Sequence, residues 1–106
     1  MGSVNSAKKN VLLPHPVVET NYGKIEGKRV QIDILNEIKF VNVFLGIPFA
    51  KPPIGELRFQ KPEPPNSWKD VLSCKTYKSI SIQKQYPFKR FKDSEDCLYL
   101  NVIVPT

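Results

Sequence analysis

Residues that carry chemistry are scarce in this chain. Its 106 residues include one histidine, one methionine, one tryptophan, two cysteines and five glycines. Each shortage excludes something. A single histidine and no zinc-finger spacing leave no metal cluster to assemble. No serine stands in a G-x-S-x-G elbow, no HGGG-type stretch offers an oxyanion loop, and no glycine-rich loop is built to cradle phosphate. His15, set between Pro14 and Pro16, has no nucleophile motif beside it and reads as an exposed, idle imidazole. These residues assign no catalytic group, no metal and no cofactor.

Long apolar runs are missing too. Nothing approaches the ~20 residues that cross a bilayer as a helix. The N-terminus holds only a three-residue apolar run, Val11 to Leu13, too little for a secretory signal. The expectation is a cytoplasmic chain or one at the cytoplasmic face of a membrane, and an extracellular or lumenal one only if the true N-terminus differs. "MGSVNS" fits the N-myristoylation pattern, with Gly2 as acceptor and Ser6 in the required place. Lys8 and Lys9 follow and can add weak attraction to anionic lipid. The net charge of +6 comes with no RNA-binding aromatic motif or arginine-rich helix, so nucleic acid is not an expected partner.

Proline is what the chain has in excess. Ten prolines argue against long helices, since each removes a donor and fixes φ. Residues 1–16 read as a flexible leader closed by "LPHP". Val17 and Val18 begin a short strand, and "NYG" at 21–23 is a turn. "RVQIDIL" alternates, with Val30, Ile32 and Ile34 on one face and Gln31 and Asp33 on the other. Asn36–Glu37 reads as a hairpin turn into a second strand, Ile38 to Ile47. Residues 17–47 are therefore expected to form one small antiparallel sheet.

Six of the prolines fall between Gly46 and Trp68, at 48, 52, 53, 62, 64 and 65. No regular element survives that density. A linker or a polyproline ligand would fit. The interleaved Ile47, Phe49, Ile54, Leu57, Phe59 and Trp68 favour an ordered, packed loop instead. "SWKDVLSCKTY" (67–77) suggests a helical turn. The strand Leu98–Val104 is apolar on both faces except at Asn101, as in a sheet covered on both sides. "SED" (94–96) reads as a capped turn or ion-pair partner. Cys74 and Cys97, if joined, would close a 24-residue loop worth about 3.4 kcal/mol. The alternative is two separate thiols, buried independently.

Two stretches together resemble the type-B carboxylesterase and cholinesterase family. They are "FLGIPFAKPPIGELRFQKPEPPNSW" (44–68) and "SEDCLYLNVIVP" (94–105), and "YGKIEGKRV" (22–30) fits the family's opening hairpin. The resemblance covers residues 17–106. It implies a mostly β chain with long proline-rich loops, the N-terminal portion of an α/β-hydrolase fold: a small antiparallel sheet plus the first strand of the central sheet. Family members hydrolyse carboxylic esters through a Ser–Glu–His triad that lies later in the family's chain than this match extends. The resemblance implies a fragment that is inactive alone, with ester substrate only in a full-length parent. It makes Cys74–Cys97 a structural disulfide around an Ω-shaped loop and Arg58–Glu95 a structural ion pair. Cholinesterases place a choline-binding tryptophan in that loop; here Pro87 and Phe88 occupy its neighbourhood, against choline selectivity. A reducing cytosol would oppose the disulfide. The alternative reading is a non-catalytic, membrane-tethered binding module.

Overall fold

Alternation builds the longest hairpin. The computed structural model describes residues 14–106; Gly2, Lys8 and Lys9 lie outside the described residues. Within them, Val30, Ile32 and Ile34 alternate with polar residues along β3 (Lys28–Ile34). β3 folds back on β4 (Glu37–Pro48), in register from Lys28 opposite Val43 to Ile34 opposite Glu37. The turn falls one residue earlier than Asn36–Glu37. Its central residues are Leu35 and Asn36, at φ 52° and 65°. Two left-handed residues make a type I′ turn, whose twist matches that of the flanking strands.

The expectation of one sheet over residues 17–47 is corrected. β1 (Val17–Thr20) and β2 (Gly23–Glu26) form a hairpin, and β2 pairs on its other side, in parallel, with β5 (Leu72–Ser73). β3 and β4 belong to a second sheet that β6 (Tyr99–Pro105) completes. Gly27 marks the separation. A Cβ there would collide with the Val43 carbonyl oxygen and the Phe44 ring, so only glycine lets the chain pass this close to β4. The helical turn expected over 67–77 is absent as well. The Cys74 N–H donates to the Glu26 carbonyl (2.8 Å) and the Leu45 N–H to the Cys74 carbonyl (2.8 Å), which draws this segment out as strand.

That second bond joins the two sheets, and a β-bulge makes it available. The register of β4 on β6 shifts between Phe44 and Ile47, with Gly46 at φ 75°. The bulge leaves the Gly46 N–H without a ladder partner, and Asn101 Oδ1 accepts it at 2.9 Å. The polar exception in an otherwise apolar strand thus has a structural partner. Around this junction Ile25, Phe44 and Cys74 form the buried cluster, with Ile47, Trp68 and Leu72 packed against it. Val43, Leu45 and Ala50 are buried nearby.

The proline-rich segment is an ordered loop. Lys51 N–H donates to the Glu63 carbonyl (2.9 Å) and closes its middle around one 3₁₀ turn, Gly55–Leu57. Trp68 pins the end: its backbone N–H reaches the Tyr22 carbonyl (2.9 Å) and its indole N–H the Lys24 carbonyl (2.8 Å). Packing is confined to those ends. Ile47 and Trp68 reach the cluster, whereas Ile54 is half exposed and Phe59 is 92% exposed. The prolines keep the middle extended, so its apolar side chains cannot fold back onto the core. β6 stands at the edge of its sheet. Among the described residues it pairs with β4 alone, and Leu100, Val102, Ile103 and Val104 are exposed. No described element reaches its second edge.

Candidate functional site

The segment between the two cysteines carries the most chemistry. Its 22 intervening residues form almost no regular structure, so side chains and isolated bridges shape it. Ile80 N–H donates to the Lys92 carbonyl and Ser94 N–H to the Ile80 carbonyl, each at 3.0 Å, closing the base of the loop. Gln85 organises the tip. Its Oε1 accepts the Arg90 and Phe91 N–H groups (2.9 Å each), and its Nε2 donates to the Phe91 carbonyl (3.0 Å). Between base and tip lies an open hollow of about 880 Å³, with the outer side of β6 as its floor and Lys78, Arg90 and Lys92 on its walls.

In this structure Cys74 and Cys97 are both free thiols. Their surroundings differ. The backbone bonds on either side of Cys74 hold it in the junction between sheets, and its side chain is fully buried against Ile25 and Phe44. Burial pushes this thiol's pKa up, partly countered by the Lys78 charge. Cys97 instead lines the hollow, where the Ser81 hydroxyl donates to its sulfur at 3.4 Å.

Arg58 and Glu95 meet, Nε to Oε1, at 3.0 Å. The contact runs from the proline-rich loop to the turn before β6, with both side chains well exposed. Asp96 accepts the Tyr99 hydroxyl at 2.9 Å. Burial and then this carboxylate raise the Tyr99 pKa to about 12. Lys89 lies 3.0 Å from Asp93 and, through a hydrogen bond, lowers that carboxyl's pKa. The "SED" carboxylates and Asp93 are therefore all engaged in local contacts. His15 Nδ1 accepts from Lys75 Nζ at 2.8 Å and lies 3.7 Å from Glu26, remote from any serine contact in the described residues. Among those residues no three His, Cys, Asp or Glu side chains converge as metal ligands. Sequence reasoning missed the hollow and the Gln85 and Ser81 contacts. Nothing in the periodicity of an irregular loop signals them.

Comparison with known proteins places this geometry in context. The profile of the carboxylesterase family matches residues 14–106. A medium-chain fatty acyl-CoA hydrolase precursor of Anas platyrhynchos is 42% identical over 85% of this chain, and the match takes up 18% of its own length. Juvenile hormone esterase of Tribolium castaneum is 44% identical over 86% of this chain and 15% of its own. Among solved structures, a PNB esterase superposes with a TM-score of 0.68 and 43% identity, covering 87% of this chain and 17% of that one. A carboxylesterase of Geobacillus stearothermophilus gives 0.62 and 39%, over 82% and 16%. The chain thus spans less than a fifth of each of these relatives.

Proposed function

The chain belongs to the carboxylesterase family, and on that premise we propose that it supplies the N-terminal scaffold of an enzyme transferring acyl groups from esters to water. Relatives named for ester and for acyl-CoA hydrolysis share that chemistry. The family's Ser–Glu–His triad would perform it in a full-length parent. This segment's part is architectural: β4 and β6 begin the central sheet, and Arg58–Glu95 ties the proline-rich loop to the entry of β6. The observation that supports this most is the agreement with a PNB esterase in both fold and sequence across 87% of the chain.

By itself the chain is expected to be inert. Its one imidazole is occupied with Lys75 and Glu26, and no described serine contacts it. Two assays test the reading. The purified 106 residues should not accelerate hydrolysis of a simple aryl ester above buffer. Residues 14–106, exchanged for the matching segment of the duck acyl-CoA hydrolase, should yield a folded, active enzyme. Turnover by the isolated chain would overturn the first half of the proposal. A chimera that folds yet hydrolyses nothing would overturn the second.

A further inference from the structure

The hollow inside the Cys74–Cys97 loop has an electrostatic imbalance that its own residues do not resolve. From Lys75 to Cys97 there are six basic and three acidic residues, an excess equal to half the chain's net charge of +6. Each of the three carboxylates has a partner of its own, although that of Asp96 is a residue lining the hollow. Asp93 pairs with Lys89, Glu95 with Arg58, and Asp96 with the Tyr99 hydroxyl. Lys78, Arg90 and Lys92 line the hollow and form no ion pair among the described residues; Arg90 only overlies the Phe88 ring, at 5.8 Å. No carboxylate lines the space. Three like charges around a concavity raise the local concentration of anions and repel one another until an anion arrives.

The walls are not uniformly polar. Ile80, Phe91 and Tyr99 line the same space, and Phe91 is 60% exposed. At about 880 Å³ the hollow falls within the size range of small-molecule sites. A bare inorganic anion would satisfy the cations and leave these apolar surfaces in water. We propose that the hollow binds an anionic amphiphile of the fatty-acid kind as a single molecule. Its carboxylate sits among Lys78, Arg90 and Lys92, and its chain lies along Ile80, Phe91 and Tyr99. The proposal does not rest on the ester chemistry proposed above.

Calorimetric titration of decanoate, kept below its micellar concentration, into the 106-residue chain tests this. Saturable binding of one molecule per chain is expected. The combined variant Lys78→Gln, Arg90→Gln, Lys92→Gln should bind about tenfold more weakly or worse, since each exposed charge contributes up to about 1 kcal/mol. Removing the same charge far from the hollow, with Lys24→Gln, Lys61→Gln and Lys69→Gln, should change affinity by no more than about twofold. Decyltrimethylammonium, with the same chain and the opposite charge, should not bind. Four results would each overturn the proposal: no saturable binding, equal loss in the remote variant, comparable binding of the cationic amphiphile, or binding to anionic vesicles without binding to monomeric decanoate.

Discussion

Leu35 holds an awkward position. Its φ is 52°, its side chain is 91% exposed, and Asn36 beside it is also left-handed. That conformation costs an ordinary L-residue roughly 1–2 kcal/mol, because Cβ crowds the following carbonyl oxygen. Asparagine and glycine tolerate it far better. The double substitution Leu35→Asn with Asn36→Gly should therefore stabilise the chain by about 1 kcal/mol, read as a rise in melting temperature of about 4–8 °C. An unchanged or lowered Tm would show that the turn is not strained. Composition pointed to a turn here but set it one residue late. Cross-strand register, from Lys28 opposite Val43 to Ile34 opposite Glu37, decides which two residues are left over. The cysteines teach the same lesson. Cys74 lies in the buried junction of the sheets and Cys97 lines the hollow, settings that their spacing does not reveal.

At the scale of elements, β4 is the organising piece. It serves β3 along one edge and β6 along the other, and its bulge turns the Leu45 N–H toward Cys74. Asn101 makes the bulge affordable by accepting the Gly46 N–H. Asn101→Ala would leave that donor unmatched and should cost about 1–2 kcal/mol, visible as a lower urea midpoint. Asn101→Asp keeps an acceptor in place and should cost less. Equal losses in the two variants would count against the hydrogen bond as the cause. The long strands were legible because alternation and apolar runs are local signals. The division into two sheets was not. It follows from the close pass of Gly27 over β4 and from the pairing of β2 with a two-residue strand 47 positions away. The Arg58–Glu95 contact spans loop and strand but is exposed on both sides, so its contribution to stability should be only about 0–1 kcal/mol.

The described residues form an open arrangement. Its Cα radius of gyration is 17.6 Å, against about 13 Å for a compact domain of this length. Among the described residues the buried hydrophobic core is Ile25, Val43, Phe44, Leu45, Ala50 and Cys74. Meanwhile β6 presents a free edge and an exposed run of Leu100, Val102, Ile103 and Val104 without a charge among them. An unpaired apolar edge is a template for pairing with another chain. Sedimentation of the purified chain should show concentration-dependent association, and Ile103→Lys, a charge on that strand, should shift it toward monomer. If the substitution leaves the distribution unchanged, association runs through another surface or does not occur.

Much of this protein's character was decided locally. The alternation of Val30, Ile32 and Ile34, the proline density after Gly46 and the "EDCLYLNV" run depend only on neighbours along the chain, so strands, loop and family could be read from them. The resemblance also implied Arg58 and Glu95 as partners. Tertiary structure decided what depends on distant segments meeting: the two-sheet division, the meeting of Asn101 with Gly46, the separate settings of Cys74 and Cys97, and the cationic hollow. The hollow shows the reason most plainly. Lys78, Arg90 and Lys92 are only three of the many basic residues in the sequence. They become a set because Asp93, Glu95 and Asp96 are drawn to other partners and the loop closes around an empty space.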